Sequence, residues 1–193
     1  MSKNPSKIYV IDTETTGTDP YRHAIIEATF IEVIRGSGIG EYTLQNPVTL
    51  EFPMYNKAVI DPMAMRVNQI SITDMGRASL ANFFVNYTDS NLEFGNAMFI
   101  GANVMFDVNF LDAFFWNNRK MFERPTFFYK HLDLQAAFAG MKNAYGNLLT
   151  SEIAPPSLST MLKHYGIENP DAHTSLGDCE ATANLFLRMF GNS

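Results

Sequence analysis

The 193-residue sequence holds a single cysteine, Cys179, and a single tryptophan, Trp116. One thiol excludes an internal disulfide and a zinc site built on cysteines, and the plain expectation is a reducing, cytoplasmic setting. Basic side chains are scarce. Fourteen Lys and Arg stand against 20 Asp and Glu, for a net charge of −6. That balance argues against a broad basic face gripping a polyanion. It leaves room for acids clustered around metal, because bound divalent cations reverse the local sign. No apolar run approaches the roughly 20 residues of a membrane span. The polar start, Met1 to Lys7, lacks signal-peptide architecture. Repeats, low-complexity tracts and linkers are missing too. At 46% hydrophobic and 18% charged, residues 1–193 read as one globular domain with a flexible N-terminus over 1–6.

What is present is a succession of short elements. Ile8–Ile11 is an apolar run of β-formers and reads as a buried strand. A second strand is expected over 25–34 and a third over 41–50, joined by the turn Gly36-Ser37-Gly38-Ile39-Gly40. Asn46-Pro47 marks a break or an edge position in the third. Asp61-Pro62 opens a short helix to Asn68, and another helix spans 79–87. A fourth strand covers 97–100. Phe106, Phe110, Leu111 and Phe114 recur at helical spacing, so a helix is expected over 106–118. A fifth strand over 126–132, a helix to Gly140 and a loop over 142–156 follow. Helices over 157–166 and 178–190 complete the chain. The pattern predicts an α/β architecture, a five-stranded mixed sheet flanked by helices.

Four carboxylates and one histidine stand at the ends of these elements. Asp12 and Glu14, two apart at the end of the first strand, project from the same face. Ligand sites in open α/β sheets favour that end of the strands. Two adjacent carboxylates repel unless a cation lies between them. Oxygen-only ligands suit magnesium or manganese rather than zinc. Asp107 and Asp178 each stand near a helix start, where the macrodipole favours a carboxylate. Four convergent acids can hold two ions about 3.5–4 Å apart, an arrangement suited to phosphoryl displacement. His173, five residues before Asp178, has an imidazole able to take a proton from an attacking water near neutral pH.

These segments resemble the DnaQ-like exonucleases of the DEDDh branch. Their first motif, Asp-x-Glu-x-Thr-Gly, is matched by Asp12, Glu14, Thr16 and Gly17, and Ile25-Ile26-Glu27 fits their usual second strand. The second motif is matched from Asn103 to Asp107. The third, His-x4-Asp followed by Ala-Thr, is matched by His173, Asp178, Ala181 and Thr182. The likeness covers about residues 7 to 190. It implies a ribonuclease H-like fold and stepwise 3′→5′ hydrolysis that releases nucleoside 5′-monophosphates. It further implies two Mg2+ ions, replaceable by Mn2+, on Asp12, Glu14, Asp107 and Asp178, with His173 as general base. The strand end would lie by Thr15, Thr16 and Gly17, a wedge of Met65 to Asn68, Asn103 and Phe106. Ala102 departs from the family, many of whose members have His there. Changed substrate contact is expected, not lost catalysis.

The Asp-Thr-Glu-Thr-Thr-Gly form favours single-stranded DNA 3′ ends. The rivals are a ribonuclease T-like trimmer of RNA, distinguished by contact with the 2′-hydroxyl, and a catalytically silent strand-end binding module. A polymerase or replication protein is a conceivable partner, although the end at Ser193 favours a free enzyme or one bound through its globular surface. Arg119, Lys120, Arg124 and Lys130, interleaved with Phe122, Phe127, Phe128 and Tyr129, could track a phosphate backbone. The plainer reading is a solvated helix end. Cys179 reads as a small buried hydrophobe.

Overall fold

The computed structural model describes residues 4–55, 57–68, 78–144 and 156–192, with the backbone alone at 142–144. Along the chain come β1 (Ile8–Thr15), β2 (Ile25–Arg35), β3 (Tyr42–Leu44), β4 (Val48–Glu51), α1 (Pro62–Asn68) and α2 (Leu80–Asp89). Then follow β5 (Met98–Gly101), α3 (Val104–Asn117), β6 (Leu132–Asp133), α4 (Leu134–Ala144), α5 (Leu158–Tyr165) and α6 (Ser175–Phe190).

β1 is the central strand. It pairs antiparallel with β2 and parallel with β5, which pairs parallel with β6. β1 is covered on both faces, as its near-continuous burial requires. On one face Tyr9 and Ile11 join an aromatic cluster with Phe83 of α2 and Phe110, Phe114 and Phe115 of α3. On the other, Val10 packs with Leu134, Met161, Leu162, Leu185 and Phe186 of α4, α5 and α6. Each such side chain contributes about 1.5–3 kcal/mol on burial. Among the described residues no helix is long and apolar enough to cross a membrane.

The expected mixed sheet flanked by helices is present, with six strands rather than five. The extra strand comes from the third, which divides at Asn46-Pro47. β3 and β4 both lie antiparallel along the outer edge of β2, displaced by one residue. Val33 faces Leu44, but Phe30 faces Val48. The sheet still has five positions across its width. The fifth strand is reduced to Leu132–Asp133, because at Phe99 the ladder is broken: its amide donates to His131 Nδ1 at 3.1 Å, not to a carbonyl. α4 runs past Gly140 to Ala144, and the rest of the expected loop, 145–155, lies outside the described residues. Within residues 4–6, Ser6 N–H donates to Asn96 O and Asn96 Nδ2 to Asn4 O.

Candidate active site

The first two acids stand at the C-terminal end of β1. Alternation puts Asp12 and Glu14 on the face of Val10, toward α6, and Thr13 on the opposite face, toward α3. A register shift between Glu14 and Thr15 ends the regular pairing with β2. Such irregularities re-aim side chains next to active sites.

Asp178 reaches this place from α6. The helix starts at Ser175, earlier than expected, because Thr174 caps it by accepting from Gly177 N–H at 3.0 Å. Ligand oxygens of Asp12, Glu14 and Asp178 all lie within 4.8 Å of one another. Asp107 approaches from the other side of the sheet and is not part of that triad. It sits in the first turn of α3, 4% exposed. Thr13 Oγ1 donates to its Oδ1 at 2.8 Å, so β1 touches acids on both of its faces.

Electrostatics couples all four. Burial pushes the Asp12 carboxyl well above the usual range, helped by Asp107, then Asp178 and Glu14. Glu14 is raised from 4.5 to about 8, by burial first and then by Asp178, Glu27 and Asp107. Asp107 is raised to about 7 by burial, against the Thr13 hydrogen bond. Among the described residues no basic side chain offsets these shifts. Such a cluster of buried oxygens has a deficit of positive charge, and hard divalent cations fit that donor set.

Asp178 is held by a second ring of contacts. Asn169 Nδ2 donates to its Oδ1 at 2.6 Å and the backbone N–H of His173 to its Oδ2 at 3.3 Å. His173 is exposed and adopts the left-handed region, φ 67°. That conformation costs of order 1–3 kcal/mol and clusters at functional sites. The loop carrying it passes so close to α6 that a Cβ on Gly177 would collide with the Asp171 carbonyl. Below it, a directed chain of hydroxyls crosses the sheet. Thr49 donates to Thr29, Thr29 to Ser175 and Ser175 to the Glu27 carboxylate, at 2.8, 2.8 and 2.6 Å. Ser175 is fully buried and begins α6. The chain therefore anchors the helix start that aims Asp178. Asn169, Ser175 and Thr13 escaped sequence reasoning. In the sequence Glu27 reads only as part of a strand, although its place opposite Glu14 follows from the pairing.

The expected strand-end residues divide into two groups. Thr16 is fully buried. Its hydroxyl donates to Val59 O and accepts from Ala24 N–H, while its own amide and carbonyl pair with Ala24 and Asp61. Each polar group of Thr16 thus has a partner within the protein. Thr15 Oγ1 donates to Gly17 O. A Cβ on Gly17 would run into the His23 ring. Asn68 Nδ2 donates to Thr15 O at 2.8 Å and so ties α1 to the end of β1. Met65 is half-buried in α1, which buries no residue fully. Asn103, exposed with φ 63°, is the N-cap residue of α3. Phe106 is half-buried against Phe110, ring centroids 4.9 Å apart. Ala102 packs against the α6-side core. Cys179 is buried and free, as expected.

The model of the exonuclease family named for RNase T matches residues 9–186. The chain is similar to PolC-type DNA polymerase III of Staphylococcus saprophyticus, 24% identical over 183 residues, and of Staphylococcus aureus, 25% identical. These alignments take in 93% of this chain but 11% of each relative. The chain thus spans about a tenth of the length of the curated relatives it matches. Of solved structures, E. coli Exonuclease I in complex with a dT13 oligonucleotide superposes with a TM-score of 0.68 at 18% identity, covering 94% of this chain and 40% of that one. The nuclease domain of 3′hExo, a DEDDh family member bound to rAMP, gives 0.69 at 16% identity, covering 98% and 94%. These similarities establish the ribonuclease H-like fold. With the family's pattern matched from β1 into α6, the chain belongs to the DnaQ-like exonucleases, metal-dependent 3′→5′ nucleases of the DEDDh branch.

Proposed function

We propose that the protein removes nucleotides one at a time from the 3′ end of single-stranded DNA and releases nucleoside 5′-monophosphates. The observation that carries this reading is the convergence of Asp12, Glu14 and Asp178 within 4.8 Å, with Asp107 pressing on Asp12 from the opposite face of the sheet. The four carboxylates would hold two divalent ions, Mg2+ with Mn2+ as substitute. When bound, these ions would polarise the scissile phosphate and stabilise charge on the attacking and leaving oxygens.

The remaining work falls to the chain. His173, lifted on its left-handed turn, takes a proton from the attacking water. The water oxygen bonds to phosphorus, the bond to the 3′-oxygen breaks, and that oxygen gains a proton. The strand leaves one nucleotide shorter with a free 3′-hydroxyl. Asp178 stays aimed because Asn169 and the His173 amide both donate to it. Gly17 and Thr15, with Asn68 bound to the Thr15 carbonyl, border the strand end. Met65 acts as a wedge, and Asn103 and Phe106 contact the terminal nucleotide. Apolar and aromatic contacts of this kind are tolerant of sequence.

DNA is favoured by the oligonucleotide bound to Exonuclease I and by the polymerase relatives, which also make a polymerase a conceivable partner. The rAMP bound to 3′hExo motivates the second reading, trimming of RNA 3′ ends. The test is to incubate the protein with 5′-labelled single-stranded DNA, RNA and duplex, in Mg2+ or EDTA. A Mg2+-dependent ladder, strongest on single-stranded DNA, is expected. A stronger ladder on RNA would replace the substrate assignment, and no shortening of any strand would sink the enzyme reading.

A further inference from the structure

A second concavity lies away from the acids, along the exposed flank of α3. It encloses about 370 Å³ and is lined by Tyr21, Asn109, Asp112, Trp116 and Arg124, among others. Asn109 and Ala113 continue from Phe106 at helical spacing, and Trp116 follows one turn on. One stripe of α3 therefore runs from the residue beside Asp107 out to Trp116. At 1.5 Å per residue it is about 15 Å long.

The chemistry along this stripe is suited to a strand. Tyr21 is 89% exposed and Trp116 51% exposed. Tyr21 is not a loose tip, because its amide donates to Asp19 Oδ1 at 2.9 Å within a tight turn. Two guanidinium groups lie over the Trp116 ring, Arg119 at 4.6 Å and Arg124 at 5.3 Å from its centroid. Asp112 grips Arg124 through two bonds of 2.9 and 2.8 Å and matches its charge. Arg119 donates to the Trp116 carbonyl and has no acidic partner among the described residues. A solvated helix end accounts for Arg119 alone. It does not account for two large aromatics left exposed around one polar cavity.

We propose that this cavity is a subsite for the single strand upstream of its 3′ end. Tyr21 takes a base by stacking, the open edge of Trp116 borders that base, and Arg119 meets a backbone phosphate. The assignment rests on the exonuclease reading and adds to it a grip on strand length. A base on an aromatic platform next to a lone cation is the usual mode of binding to single strands without sequence preference.

The test compares wild type with Tyr21→Ala and Arg119→Ala, on a dinucleotide and on a strand of about ten nucleotides. For the longer strand each substitution should raise KM, Tyr21→Ala by about tenfold. Arg119→Ala should also lower the slope of log affinity against log salt by about one. The effect on the dinucleotide should be much smaller. Trp116, the sole tryptophan, reports directly: its emission should change on saturation with the longer strand and not with a mononucleotide. Equal KM values on the longer strand for all three proteins would overturn the subsite, as would an unchanged emission while that strand is bound and shortened. If no strand is shortened at all, the exonuclease reading itself has failed, which the wild type alone reveals.

Discussion

Glu14 illustrates how strongly the metal-free site opposes its own fold. It is 6% exposed, and its carboxyl titrates at about 8 instead of 4.5. Folding therefore draws a proton onto Glu14 between those two values. This group's contribution makes stability fall as pH rises from 4.5, and the fall levels off above about 8. At pH 7 the interval is about 2.5 units, or about 3 kcal/mol at 1.36 kcal/mol per unit. Glu14→Gln keeps the shape and removes the charge. In EDTA at pH 7 the variant should gain up to about 3 kcal/mol, a rise in melting temperature of roughly 6–12 °C for a chain of this size. The gain should vanish below pH 4.5, where Glu14 is neutral in both states. Calorimetric or circular-dichroism melts of both proteins, in EDTA across pH 4 to 9, measure the difference directly. Mg2+ should then stabilise the wild type more than the variant. A variant that melts at or below wild type at every pH would refute the idea that burial of the Glu14 charge is the dominant tension here.

Three further outcomes are expected. The concentration of Mg2+ or Mn2+ that half-saturates activity should fall as pH rises from 6 to 8, because the cations compete with protons on Glu14 and Asp107, which titrate at about 8 and about 7; a flat dependence in metal titrations would contradict this. Glu27→Gln replaces the acceptor for Ser175 and should weaken metal affinity or turnover by about tenfold to a hundredfold, with the melting temperature in EDTA held or raised; calorimetric metal titration and steady-state rates check it. His173→Ala should slow turnover by about a hundredfold or more while leaving calorimetric metal binding close to wild type.

The parts of the site that were legible in the sequence are those placed by local pattern. Asp12 and Glu14 follow from the two-residue period of a strand. Asp107 and Asp178 follow from helix starts, both of which the structure moves a few residues earlier. His173 follows from its spacing to Asp178 together with the family resemblance. Two of the supports were not legible, because each joins residues distant in sequence. Thr13 meets Asp107 across 94 positions and Ser175 meets Glu27 across 148, and no periodicity encodes either pair. Thr15 and Thr16 look alike in sequence, yet the polar groups of Thr16 are bound to Ala24, Val59 and Asp61. The fifth strand was over-read for a similar reason. The composition of Thr126–Leu132 suits a strand, but the side chain of His131 takes the amide that a strand would have paired.

Asp107 and Asp178 ride on helices that cover opposite faces of the same sheet. The acids therefore come together only while both layers are seated on β1. Local openings cost less than global unfolding, so loss of either helical layer can precede collapse of the whole. A molecule opened on one side would lose one of its acids from the cluster and with it the ability to cut. For an enzyme that degrades information-bearing polymers, damage of this kind fails safe: a half-unfolded copy is an inert one.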